Sequence, residues 1–171
     1  LFSLSGCSDF LDEKPEGNTG TTGNFYKNKE DIEYALTAAY ANLQAGAMYK
    51  EYMVLMTDVR SDDLGSFANT GGNAGREYSI KIFTAQSDNQ IFRSVWQKTY
   101  ETIYRCNNVI YHIDVVKDSK LKLQYEAEAR FLRALCYFNI VRFWGDAPLI
   151  LTPLTATEVA ECERNKVADI Y

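Results

Sequence analysis

Histidine and proline are scarce in this chain, and no block of basic residues occurs: 171 residues carry one histidine, three prolines and ten glycines. Each shortage excludes something. His112, the only histidine, lies on the polar side of a helical pattern beside Tyr111. No serine or cysteine is paired with it, which argues against a nucleophile–histidine triad. The net charge of -5 and pI near 5.0 come without any Lys/Arg cluster to neutralise phosphates, so nucleic acid is not an expected partner. No CxxC and no paired His/Cys spacing occurs, so a zinc site is not expected. The opening LFSLSG is far short of the ~20 apolar residues that cross a bilayer.

Four cysteines are present, at 7, 106, 136 and 162. Cys106 and Cys136 fall on consecutive predicted helices, about 12 and 18 residues from the turn between them. At 1.5 Å per residue that is an offset of roughly 10 Å, beyond the roughly 7 Å Cα separation a disulfide tolerates. Cys106, Cys136 and Cys162 are therefore expected as free, buried, small apolar residues.

What is abundant is apolar and aromatic: 46% hydrophobic residues, with twelve tyrosines and nine phenylalanines. That is ample for one ordinary core. Prolines and glycines lie almost wholly outside the periodic segments, which favours an all-α fold. Residues 1–27 read as a polar, Gly/Thr/Asn-rich extended tether, and residues 28–171 as the helical part. Asn28 can cap a first helix whose Ile32, Ala35, Leu36, Ala39, Tyr40 and Leu43 form one apolar face. A second helix is expected at about 47–60. Residues 61–88 read as a long loop, with extended structure at 78–83; a loop of this length is usually functional or disordered. A third helix spans about 89–116. The turn Lys117-Asp118 then forces an antiparallel αα-hairpin with the helix that follows. Such pairs resemble tetratricopeptide-type units, although no strict 34-residue consensus is present. Asn165 is placed to cap a last helix with Val167 and Ile170 facing inward.

The block YEAEARFLRALCYFNIVRFWGDAPLI, residues 125–150, carries the strongest pattern. Leu121, Tyr125, Ala129, Leu132, Cys136 and Ile140 recur at helical spacing. Leu135, Phe138 and Phe143 widen the stripe until the last turns are apolar almost all round, which predicts a helix buried between others. Ser119 after Asp118 marks the start, Gly145 the stop, and Pro148 bars continuation.

Candidate chemistry is sparse. Asp58, Asp62 and Asp63 cluster where the second helix ends. Paired carboxylates serve glycoside hydrolysis or calcium binding, but Ser61-Asp62-Asp63 also reads as a turn or cap. The glycines at 71, 72 and 75 lack phosphate-loop spacing. Around them Phe67, Asn69, Arg76 and Tyr78 supply rings, an amide and a guanidinium. Sugars use such groups: apolar sugar faces stack on rings, and hydroxyls pair with amides and guanidinium. Trp96 and Trp144 sit at helical spacing and read as core aromatics.

The block at 126–150 resembles the corresponding helix of the SusD/RagB family, which reads EARFLRAxxYFxLxRxxGDxPLI. Four further features agree: the helix near 28–45, the SerAspAsp after the second helix, the Arg164-x-x-Val167-x-x-Ile170-Tyr171 ending, and the N-terminus. There, Leu4-Ser5-Gly6-Cys7 resembles a bacterial lipobox followed by SerAspPheLeuAsp, and Asp9, Asp12 and Glu13 resemble surface-export signals of Bacteroidetes lipoproteins. Cys136 departs from the pattern, standing where a second aromatic is common. The resemblance implies tetratricopeptide-like helical hairpins with long irregular loops, here the N-terminal portion of a larger SusD-like α fold. It implies a lipoprotein acylated at Cys7 and held on the outer membrane. Such a protein captures glycans without catalysis and delivers them to a SusC-type TonB-dependent transporter. No organic cofactor follows, and calcium occurs in some members. Two rival readings remain, an intracellular peptide-binding helical scaffold and a surface glycosidase.

Overall fold

In the computed structural model, residues 25–64 and 72–171 are described, with side chains from 75 onward in the second stretch. Cys7, the tether up to residue 24, Phe67, Asn69 and Gly71 lie outside the described residues.

The described chain is helical, as its periodicity predicts. Helix α1, Lys29–Leu43, opens on a reciprocal cap: the Asn28 side chain accepts from the Asp31 amide, and the Asp31 carboxylate accepts from the Asn28 amide. Five residues of π-type turn, Gly46–Lys50, then lead into the short helix α2, Tyr52–Thr57, and a 3-10 turn, Asp58–Arg60. The single helix expected at 47–60 is thus kinked. The break is at Met48, whose backbone is non-helical while its side chain is fully buried. Helix α3 covers Gly72–Lys81, where the sequence reads as loop and strand. Its start is Gly-rich and poorly helix-forming. Tertiary packing overrides that, for Ile80 is wholly buried beside Met53, Met56 and Val59.

Helices α4, Gln90–Tyr111, and α5, Ser119–Trp144, form the predicted antiparallel hairpin, joined through a 3-10 turn at Ile113–Val115. Asn89 caps α4, and Asp118 caps α5 by accepting from the amides of Lys120 and Leu121. α5 ends at Gly145, where φ is +72°.

The third layer is α1, packed on both hairpin helices. Ile32, Ala35, Leu36 and Ala39 meet Cys106, Val109, Ala129 and Leu132 in one core cluster. Polar ties fix the register. Arg105 donates to the Ala38 carbonyl at 2.7 Å, Tyr40 donates to Glu128 at 3.0 Å, and Tyr125 donates to Glu33. That last bond raises the Tyr125 pKa to about 12 and lowers that of Glu33.

Beyond Gly145 the chain runs extended against the hairpin, then forms two short helices, α6 (Ala156–Ala160) and α7 (Val167–Ile170). Asn165 does not cap α7, contrary to expectation. Its backbone pairs with Ala147, and its side chain accepts from the Leu149 amide. Asp146 does the capping instead, accepting from the Val167 amide at 3.1 Å while bound to Lys166 at 2.7 Å.

α5 is not buried all round. Leu123, Phe131 and Phe138 are 68%, 66% and 45% exposed, so the widened stripe leaves an outward apolar edge among the described residues. No helix of the described chain is long and apolar enough to cross a membrane.

Candidate functional site

Aromatic rings collect where α4 and the end of α5 meet. Trp96 lies 4.8 Å from Tyr100 one turn along α4, and meets Trp144 edge-on at 5.1 Å. Trp144 follows Phe143 at 5.5 Å, and Tyr100 meets Tyr137 at 6.4 Å. Edge-on pairs of this kind are favourable beyond the area they bury. Trp96 and Trp144 are thus packed, as their spacing predicts, but both stay partly accessible and border open concavities.

Two cavities share Trp96. The first, about 340 Å³, is apolar and runs along α4 past Tyr100 and Tyr104, roofed by Pro148, Ile150 and Leu154 of the exit segment and by Val159 of α6. The second, about 510 Å³, adds Phe92, Phe143 and Trp144 to Trp96, and its rim carries Arg60, Arg93, Arg142 and Arg164. Both fall within the roughly 300–1,000 Å³ usual for small-molecule sites.

The exit segment that roofs the first cavity is held by buried polar groups. Asn107 is 1% exposed and donates to the carbonyls of Ile150 (3.0 Å) and Thr152 (3.3 Å). Arg133 donates to the Asn107 side-chain oxygen at 2.7 Å and to the Leu151 carbonyl at 3.0 Å. Tyr137 accepts from the Ile150 amide at 2.6 Å, and Tyr100 donates to the Pro148 carbonyl at 2.8 Å. Burial raises the pKa of Tyr100 and pushes that of Tyr137 up to about 12. These hydroxyls are structural donors and acceptors, not acids or bases at neutral pH.

Of the residues singled out from sequence, Arg76 and Tyr78 lie on helix α3 rather than in a loop. Two positions apart on a helix, they do not share a face. Arg76 lines a narrow crevice with Glu51, Tyr52 and Glu77, and its carbonyl accepts from Asn89. Asp62 and Asp63 are exposed, and among the described residues no three His, Cys, Asp or Glu side chains gather as a metal site requires. His112 is stacked face to face on Tyr26 at 4.2 Å, and burial lowers its pKa. Cys106, Cys136 and Cys162 are free thiols; the first two are buried, while Cys162 is half-buried. The arginine-rimmed cavity escapes sequence reading because its four arginines come from four separate segments. Only the Trp96/Phe92 and Phe143/Trp144 pairs hinted at an aromatic surface.

The fold and its aromatic hollows define a class: helical-hairpin proteins of tetratricopeptide type carrying open, ring-lined surfaces. Residues 9–171 match the SusD-like family described as "Starch-binding associating with outer membrane", and the chain belongs to that family. It is 29% identical to SusD-like protein P2 of Formosa agariphila over its whole length, which is 34% of that protein. A laminarin-binding SusD-like protein superposes with a TM-score of 0.75 at 28% identity, over 85% of this chain and 32% of that one. A SusD-like carbohydrate-binding protein from Bacteroides fragilis gives 0.71 at 27%, over 85% and 29%. The chain thus spans about a third of the length of the relatives it matches.

Proposed function

We propose that the protein to which this chain belongs captures glycans at the outer membrane without transforming them. It passes them to a SusC-type TonB-dependent transporter. The family match over residues 9–171, with a laminarin-binding protein among its structural relatives, carries this reading. The aromatic hollows beside Trp96 support it, since exposed rings are what apolar sugar faces stack on. In this reading residues 1–27 hold a signal remnant, the lipobox and a tether, and Cys7 is acylated. Several acyl chains give stable membrane anchoring where one does not. Residues 28–171 are the N-terminal helical part of a larger domain, and Phe67, Asn69, Arg76 and Tyr78 contribute ligand contacts.

The test is an oligosaccharide array probed with the full-length protein, together with labelling of cells by a palmitate analogue. Saturable binding of a glycan and a label lost in Cys7→Ala support the reading. Binding of peptides with no saccharide bound would overturn it. So would hydrolysis of a glycan abolished by Asp62→Asn or Asp63→Asn.

A further inference from the structure

The larger cavity carries four arginines and no carboxylate, in a chain of net charge -5. Arg60 ends the 3-10 turn after α2, Arg93 lies in the first turn of α4, Arg142 in the last turn of α5, and Arg164 in the strand-like segment beside Ala147. None of the four forms an ion pair among the described residues, and no acidic side chain lines the cavity. The nearby carboxylate of Asp146 is already engaged by Lys166 and the Val167 amide.

Two of the guanidinium groups lie over rings: Arg142 over Phe138 at 4.9 Å and Arg60 over Phe83 at 5.6 Å. Stacking fixes the guanidinium plane while leaving its N–H edge available, the arrangement that suits bidentate pairing with a carboxylate or sulfate. Four like charges around one opening repel one another, and a bound anion relieves that repulsion. Trp96 and Trp144 form the wall, so the occupant presents an apolar ring face as well as negative charge.

We infer that this cavity is a subsite for an anionic sugar residue, a pyranose bearing a carboxylate or sulfate. The rings stack on the sugar face, and Arg93 and Arg164 hold the charged substituent. This inference rests on the glycan-capture reading above and narrows it to an acidic glycan class.

Calorimetric titration of the full-length protein tests it with four tetrasaccharides: galacturonan, a sulfated galactan, laminaritetraose and maltotetraose. An anionic tetrasaccharide should bind at least roughly tenfold more tightly than the neutral ones, equivalent to about 1.4 kcal/mol. Its affinity should fall with ionic strength. Which of the two anionic sugars binds identifies the charged group. Arg93 and Arg164 are exposed, so the double variant Arg93→Gln/Arg164→Gln should fold normally and lose the tenfold preference. Neutral tetrasaccharides bound as tightly as anionic ones, or an unchanged preference in the double variant, would overturn the subsite while leaving glycan capture standing. Absence of binding to all four would overturn the subsite, and a blank oligosaccharide array beside it would overturn glycan capture as well.

Discussion

Gly145 sits at φ +72° with open space around its Cα, so the cost of a side chain there is purely one of backbone. Gly145→Ala should lower stability by about 1–3 kcal/mol, read as a lower urea midpoint with an unchanged m-value; an unaltered midpoint would contradict this account of the helix stop. The thiols make a second residue-level case. Burial pushes Cys106 and Cys136 each up to about 12, whereas Cys162 is half-buried, its thiol donating to the Glu158 carbonyl. In the native state at pH 8, a maleimide should modify Cys162 and spare the other two, which react only on unfolding. Peptide mapping by mass spectrometry checks this. The helix stop and the burial of Cys106 and Cys136 were legible in the sequence, since a glycine followed by proline and a cysteine at core spacing have few other readings; Cys162, expected buried with them, is half-buried instead. Asn139 was less so. It falls at a core-facing position, and only the structure shows that it is satisfied there, donating to the Tyr49 hydroxyl at 2.6 Å.

At the scale of elements, the segment 146–152 is positioned by side chains reaching out of the hairpin. Asn107→Ala removes the donors to the Ile150 and Thr152 carbonyls and leaves the Arg133 guanidinium without one of its acceptors. A loss of about 1–3 kcal/mol is expected, with hydrogen exchange of the 148–152 amides accelerated more than that of the α4–α5 core. Asp146 gives the segment a pH dependence. Its bonds to Lys166 and to the Val167 amide lower its pKa below the usual carboxylate value. The docking of α7 is therefore favoured above the ordinary Asp pKa of about 3.9 and weakens as pH falls through the lowered value. Protection of the Val167 amide should decline on acidification, and Asp146→Asn should flatten that dependence. Periodicity made α1, α4 and α5 plain, since each keeps one apolar face over four turns or more. It failed at α3, where glycines hide a helix that exists because Ile80 is packed, and at the Met48 kink, which no local signal marks.

At the scale of the whole molecule, α1, α4 and α5 make a three-helix slab, with α2 and α3 packed near the start of α4 and the exit segment running along the hairpin. That arrangement brings residues from the chain's beginning, middle and end to Trp96, so a ligand surface forms that no contiguous motif announces. The family was recognisable from α5, whose packing constrains nearly every turn, although α5 supplies the cavities only through its final residues. The measurement that most directly tests the central claim is a calorimetric titration of the full-length protein with glycan oligosaccharides, followed by chromatography of the recovered sugar. The account predicts saturable binding, weakened by Trp96→Ala, with every oligosaccharide recovered intact. Shortened products, or no heat of binding from any glycan, would contradict it.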